Sequence, residues 1–276
     1  MSPSKIKNVI TYFRERQAGA VAFSGGVDST LLLYLAREAW TDPPLALTFI
    51  SPLLTTPERE RIQKLADLFG VRLHWLKTKE YLDIKFKRNT PARCYYCKQS
   101  RFRQAQPFLN QRGVQFLFDG TNAEDLKSYR PGIRASREAN VLSPLALFGW
   151  TKKDIRRVSR DLGLPTWDQP SSPCLATRVA YGQPITLPLL KRLALGETLL
   201  GRMGFGECRL RVHKSLVRIE VPEKDFSLFN DRTRRKTLLA QLAALGFTYI
   251  TLDLKGFRSG SMDEALKTRT RNVRQD

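Results

Sequence analysis

The chain has 276 residues, with 47 Lys and Arg against 26 Asp and Glu, a formal net charge of +21. Its 42% hydrophobic content supplies enough apolar side chain for a core, which excludes a disordered polycation. No apolar run approaches the ~18–20 residues of a membrane span, and four cysteines are too few for a disulfide scaffold. Residues 19–23 (GAVAF) predict a short buried strand opening into the turn SGGVDST, after which Leu31, Leu32, Leu35 and Ala36 recur at helical spacing as far as Trp40. Asp42-Pro43-Pro44 breaks the chain before a second strand, LALTFI at residues 45–50. Pro57 opens a helix through Ile62, Leu65, Ala66 and Phe69 that Gly70 ends. Residues 71–76 alternate as a third strand, 97–111 fit a helix, and 114–122 (VQFLFDGTN) form a further strand running into a Gly-Thr-Asn turn. Thr151 caps a helix with Asp154 at the reciprocal position of a capping box, and Gly163 ends it.

Strands alternating with helices at this spacing predict an α/β fold with a doubly wound parallel sheet. Its loops after the strands, SGGVDST and GTN, then share the ligand-binding edge. After Pro184 the pattern changes to a helix at 185–200, strands CRLRVHK and LVRIEVP, an apolar helix TLLAQLAALGF and a last strand YITLDL. The expected organisation is a domain at 1–184 and a smaller α+β domain at 185–276, with 169–184 as connector. The first residues hold no continuous apolar stretch ahead of a small-residue cleavage site, so no export signal is expected; reduced thiols and a cytoplasmic location follow.

The positive charge attracts polyanions or acidic small molecules without choosing between them. The basic run at 77–103 interleaves Tyr81, Phe86, Tyr95, Tyr96 and Phe102, which keeps a nucleotide or nucleic-acid surface open, whereas the basic tail at 266–276 reads as solvated. The turn Ser24-Gly25-Gly26-Val27-Asp28-Ser29-Thr30 has the parts of a phosphate site: glycines for close backbone approach, a helix N-terminus and three hydroxyls. No lysine follows the glycines, so it is not a Walker A loop. Asp28 would repel a phosphate unless a divalent cation lay between them, which assigns it to Mg²⁺. The string resembles the SGGxDS motif of PP-loop ATP pyrophosphatases, and that resemblance implies ATP cleavage between its α and β phosphates, with adenylation of a substrate oxygen.

Cys94 and Cys97 form Cys-x-x-Cys, a spacing that lets both thiolates reach one metal centre. Arg93, Lys98 and Arg178 would favour thiolates at these cysteines and at Cys174. A structural zinc site with Cys208 as fourth ligand and a dithiol redox pair are alternatives. The favoured arrangement is Cys94, Cys97 and Cys174 on a [4Fe-4S] cluster with one iron open to bind sulfide, while Cys208 reads as a small buried hydrophobe.

Four further strings narrow the resemblance: GTNAEDLKSYRPGIRA (120–135), LSPLALFGWTKKDIRRVSRDLGLPTWDQPSSPCLATR (142–178), RLRVHKSLVRIEV (209–221) and TLDLKGFRSGSM (251–262). With SGGVDST and SPLL they resemble the LarE family of ATP-dependent sulfur transferases over nearly the whole chain. The resemblance implies conversion of carboxylates of pyridinium-3,5-biscarboxylic acid mononucleotide to thiocarboxylates through an acyl-adenylate, on the way to the nickel-pincer nucleotide of lactate racemase. One kind of member gives up the sulfur of a single cysteine at the position of Cys174. The other adds Cys-x-x-Cys and delivers sulfur from a [4Fe-4S] cluster, and this chain matches the second. Pro173 and Thr177 depart mildly from the family's Ala-Cys-Leu-Ala-Ser-Arg and remove neither thiol nor arginine. By the same resemblance Ser24, Gly25, Gly26, Asp28, Ser29 and Thr30 bind ATP phosphates and Mg²⁺. Leu47, Thr48 and Phe49 flank the adenine or ribose, and Gly120, Thr121, Asn122 and Asp125 close the nucleotide site. Arg178, Arg209 and Arg211 would clamp the phosphate and carboxylates of a small acidic nucleotide substrate, as guanidinium binds both bidentately. For Arg209 and Arg211 a solvated strand face is the competing reading, and Glu220 is a weaker candidate. His74 reads as structural and His213 as a minor candidate to touch substrate, so histidine acid–base chemistry has little support. Family likeness suggests a homo-hexamer; the sulfide donor is unknown, and the absence of a long apolar run leaves no membrane partner expected. A PP-loop, Fe–S-dependent tRNA 2-thiolation enzyme is the alternative function, and a non-enzymatic nucleotide- or RNA-binding protein a third.

Overall fold

The apolar run after Gly19 forms β1 (Ala20–Ala22), which is followed by β2 (Leu45–Ile50), β3 (Arg72–Lys77) and β4 (Leu117–Phe118). These strands are all parallel, in the order β3-β2-β1-β4. The computed structural model describes residues 3–16, 18–127, 130–170, 172–258, 260–264 and 266. The basic tail beyond Leu266, and Ser128, Tyr129, Ser171 and Ser259 of the strings above, lie outside the described residues. No helix among the described residues is long and apolar enough to cross a membrane.

The sheet is doubly wound because its two faces are both apolar. Helices α1 (Pro3–Arg14), α2 (Val27–Ala39) and α3 (Thr56–Phe69) cover one face, with Phe13, Leu31, Leu32, Leu35, Ile62 and Leu65 packed against Val21 and Phe23. A fully buried leucine of this kind contributes about 1.5–3 kcal/mol. After the short α4 (Ile84–Lys87), α5 (Arg93–Gln111) covers the other face through Phe102, Ala105 and Leu109 against Ala20, Leu47 and Leu117. The chain moves outward from β1 to β2 and β3, then crosses to β4 on the other side of β1. The reversal sits between β1 and β4, where open α/β sheets bind ligands beyond the carboxyl ends of their strands.

Three further helices complete this unit: α6 (Pro131–Glu138), α7 (Pro144–Leu147) and α8 (Lys152–Asp161). The capping box expected at α8 is present: Asp154 N–H donates to the Thr151 hydroxyl at 3.1 Å and Thr151 N–H donates to the Asp154 carboxylate at 3.2 Å. Two expectations are corrected. Helix α5 starts four residues before the expected 97, because Tyr95 and Tyr96 N–H groups already bond the Ala92 carbonyl; the Arg-Cys-Tyr-Tyr-Cys start has no apolar period to reveal it. The strand expected over 114–122 shortens to two residues, because an edge strand has only β1 and a single bridge to Leu142 to hold it.

The chain divides into one compact unit of residues 1–86 and 91–172 and a second of 87–90 and 173–276. In the second, β5 (Arg209–His213) is antiparallel to β6 (Leu216–Glu220), which is parallel to β7 (Tyr249–Leu252). Helix α9 (Leu187–Arg202) packs on β5, and α10 (Arg232–Ala244) packs on α9. A Cβ at Gly196 would stand 2.4 Å from Leu210, so the glycine sets how closely α9 approaches β5. Segment 173–184, assigned by the sequence reading to the first domain, packs within the second unit: Val179 bridges Val212 and Ala180 N–H donates to the Val212 carbonyl at 3.0 Å.

Lys5 of α1 donates to Asp154 at 2.9 Å, and this bond, opposed by burial and reinforced by Thr151, lowers the Asp154 carboxyl to about 2. A depressed folded-state value stabilises above the unfolded value, about 3.9, and the contribution fades as pH falls toward about 2. Asp154→Asn is therefore expected to lower the melting temperature at pH 7. The gap to the unsubstituted protein should narrow as pH drops from 4 to 2; thermal melts across that range provide the check.

Candidate functional site

Gly25 turns the chain after β1 with φ +67°, a conformation that L side chains rarely adopt. A Cβ there would meet Ile62 of α3 at 2.8 Å, so the helix stands directly on the turn. At Gly26 an added Cβ would meet only the Ser24 hydroxyl, at 3.6 Å, so the cradle is open on that side. Ser24 and Ser29 hydroxyls lie 3.1 Å apart, and the Ser29 hydroxyl donates to Gly26 O at 3.1 Å. The first-turn N–H groups of α2 have no partner within the helix. Thr30 Oγ1 is buried with no hydrogen-bond partner among the described residues. Glycine cradle, clustered hydroxyls and helix N-terminus suit a phosphate.

The Asp28 carboxylate accepts from Asn122 Nδ2 at 3.3 Å and forms an ion pair with Lys152 Nζ. The turn has no lysine of its own, and α8 supplies one from its first position. Sequence reasoning missed Lys152; the Thr-Lys at a capped helix start is the signal that could have raised it. Gly120 explains how the two loops meet: its Cβ would lie 2.9 Å from Ser29 N and 3.1 Å from the Asp28 carbonyl carbon. Asn122 also accepts from the N–H groups of Glu124 and Asp125, and Asp125 accepts from Asn122 N–H, so the Gly-Thr-Asn turn is closed on itself. The Thr48 hydroxyl donates to Phe23 O at 2.7 Å and ties β2 to β1, while Phe49 packs edge-on against Phe102.

Asp119, also missed from the sequence, precedes Gly120. Its buried carboxylate accepts from Thr121 N–H at 3.1 Å, Ser143 Oγ at 2.7 Å, Ser136 Oγ at 3.1 Å and Lys98 Nζ at 3.2 Å. Burial raises its proton affinity, but the Lys98 charge and the hydrogen bonds outweigh that and hold the carboxyl below its ordinary value. Glu80, fully buried, accepts from Ser51 Oγ at 2.6 Å and from Arg101 Nη2 at 2.7 Å. Lys98 and Arg101 both belong to α5, so two buried carboxylates at the strand ends fix that helix. Cys94 and Cys97 stand one turn apart on its start, exposed and half-buried respectively.

Cys174 lies in the second unit, at the start of the short turn Leu175–Arg178. Arg178 pairs with Glu197 through two bonds of 2.9 and 3.1 Å and donates to the carbonyls of Pro173 and Cys174, the latter at 3.1 Å. Arg211 is buried, bonds Glu220 at 2.9 Å and donates to Thr177 O at 3.3 Å. A solvated strand face is thus excluded for Arg211, and fully buried Glu220 is its partner. Arg209 donates to Cys208 O at 2.7 Å and has Glu207 at 4.0 Å. Burial and the Arg178 charge both depress its proton affinity. His74 stacks on Phe108 at 4.0 Å, and His213 ends β5 with its proton affinity lowered by burial and Arg218. Among the described residues no three of His, Cys, Asp and Glu gather as a metal-binding group within either unit.

No family profile matches the chain. It is 35% identical over 268 residues to pyridinium-3,5-bisthiocarboxylic acid mononucleotide synthase of Lactiplantibacillus plantarum, a match covering 95% of both chains. The chain belongs to the LarE family of PP-loop sulfur transferases. It is also 36% identical to an uncharacterised protein of Synechocystis sp., over 96% of this chain and 99% of that one. A further match, 28% identical over 255 residues, joins 92% of the chain to 96% of an uncharacterised protein of Methanocaldococcus jannaschii. The LarE likeness thus extends through the second unit, where the arginines and Cys174 lie.

Within this LarE-family chain Cys208 is set apart from the other cysteines. Its thiol is buried, donates to Glu197 O at 3.6 Å and is pushed up to about 12 by burial and the Glu197 charge. At pH 8 roughly one Cys208 in ten thousand is then thiolate. Iodoacetamide at pH 8 is expected to leave Cys208 unmodified in the folded chain and to modify it after denaturation, as read by peptide mass mapping.

Proposed function

We propose that the chain is an ATP-dependent sulfur transferase converting carboxylates of pyridinium-3,5-biscarboxylic acid mononucleotide to thiocarboxylates in nickel-pincer nucleotide biosynthesis. The observation that carries this reading is the end-to-end likeness to the synthase named above. In this reading the ATP phosphates rest on residues 24–30, with Mg²⁺ on Asp28 and the Lys152 ammonium beside it. A substrate carboxylate oxygen attacks the α phosphorus, the bond to the β-phosphate oxygen breaks, and pyrophosphate leaves as the acyl-adenylate forms. Sulfur then attacks the acyl carbon and AMP leaves, taking the former carboxylate oxygen with it. The turn contributes position and charge, chiefly by stabilising the leaving pyrophosphate.

Cys94, Cys97 and Cys174 would hold a [4Fe-4S] cluster that supplies the transferred sulfur at the iron left without a protein ligand. The support is chemical: soft thiolates, two of them one helical turn apart at a helix N-terminus that favours their charged form. Arg178 and Arg211 brace the turn after Cys174 through its carbonyls, while Arg209, whose charge the nearby Arg178 charge disfavours, is the guanidinium best suited to an anionic substrate group. A cytoplasmic homo-oligomer served by an external sulfide donor completes the proposal. The +21 charge by itself suits tRNA thiolation equally, but the length of the match favours the small nucleotide.

The test is mass spectrometry after anaerobic turnover with ATP, Mg²⁺ and the biscarboxylate nucleotide. The product mass is expected to rise by the oxygen-to-sulfur difference while the protein mass stays constant. A protein lighter by the elements of H₂S, as a cysteine converted to dehydroalanine gives, would assign the sulfur to Cys174 itself, and an unchanged nucleotide would reject the reaction.

A further inference from the structure

A second cation stands at the glycine turn. Arg61, in the second turn of α3, is half-buried, and its Nε lies 3.7 Å from the position a Cβ would take at Gly25. Among the described residues it forms no ion pair. The one acid that acts on it is Glu58, at a distance. The Glu58 carboxylate is engaged elsewhere, accepting from Thr55 N–H at 2.8 Å, Thr55 Oγ1 at 2.7 Å and Ser172 Oγ at 3.0 Å.

What holds Arg61 is an amide. With the Gln169 side chain turned to place oxygen against donors, that oxygen accepts from Arg61 Nη1 at 3.1 Å and from Nε and Nη2 at 3.3 Å. The Gln169 NH₂ then donates to Gly25 O at 3.2 Å. The opposite orientation would set oxygen against acceptors and NH₂ against donors. Gln169 therefore orients the guanidinium and fastens it to the turn and, being neutral, adds no negative charge beside it. A desolvated guanidinium without a counter-ion is costly, and an anion beside it removes that cost.

We infer that Arg61 binds the pyrophosphate portion of the nucleotide, with Gln169 as the residue that positions it. This inference rests on the proposed ATP reaction. Arg61 offers a planar fork of donors to phosphate oxygens, and it stands on the turn whose Gly25 carbonyl Gln169 occupies. As the α–β bond breaks, negative charge grows on the departing pyrophosphate, and a fixed cation there favours departure. Gln169 belongs to the Gln-Pro-Ser-Ser stretch leading to Cys174, and neither the cysteine chemistry nor the turn motif gave it a role.

Calorimetric titration of the full chain with magnesium pyrophosphate, Mg-ATP and AMP decides the matter. Arg61→Gln is expected to weaken pyrophosphate and ATP binding by roughly 10–100-fold, the scale of a lost charge-assisted pair. AMP, which lacks the pyrophosphate, should bind as before. Arg61→Lys keeps the charge without the fork and should fall between the two, and it carries the test if Arg61→Gln does not fold. Gln169→Leu should weaken pyrophosphate binding in the same selective way. Undiminished pyrophosphate binding by Arg61→Gln, or an equal loss for AMP, overturns the assignment while leaving the ATP reaction standing. If the unsubstituted chain binds neither ATP nor pyrophosphate, the ATP reaction fails first and the inference with it.

Discussion

The candidate nucleotide site depends on a missing side chain. Gly120 lets the loop after β4 lie against the first turn of α2, where any Cβ would press on the Asp28 and Ser29 backbone. That contact joins the two loops flanking the point where the winding of the sheet reverses. Asn122 consequently reaches Asp28, and the start of α8 brings Lys152 to the same carboxylate. A glycine cradle, a helix N-terminus, one acid and two cations thus meet within one unit, which is the charge pattern that phosphate transfer requires.

Buried carboxylates set the cysteine helix by the same logic. Asp119 ties Lys98 to the loop after β4, and Glu80 ties Arg101 to the ends of β2 and β3. Both acids are surrounded by donors, so their desolvation is compensated and their partners are held in place. In the second unit, Arg178 with Glu197 and Arg211 with Glu220 hold the backbone after Cys174 in an analogous way. In each case the ion pair fixes a thiol-bearing segment.

The parallel sheet, the glycine turn and the capped α8 were legible because each is written locally: an apolar run, a turn string, a Thr and Asp three apart. The start of α5 was hidden because its first turn is polar and aromatic, and its fixing residues Asp119 and Glu80 come from other segments. Arg209 and Arg211 alternate as a solvated strand would, yet Arg211 is buried, since burial of an arginine depends on the acid opposite it and Glu220 lies on another strand. Lys152, Arg61 and Gln169 were equally hidden, for each reaches the turn from a helix or loop far away in the chain. What the sequence conveys least is which charged side chains face a neutral partner, as Arg61 faces the Gln169 amide.

The central claim is that a carboxylate is activated at the α phosphorus by nucleotide bound at the glycine turn. Substrate whose carboxylates carry ¹⁸O tests it directly when turned over with ATP and Mg²⁺ and the phosphate products are analysed by mass. The account predicts one ¹⁸O in the phosphate of AMP and none in pyrophosphate. Label in a phosphate derived from the β or γ position, or AMP free of label while thiocarboxylate accumulates, would contradict it.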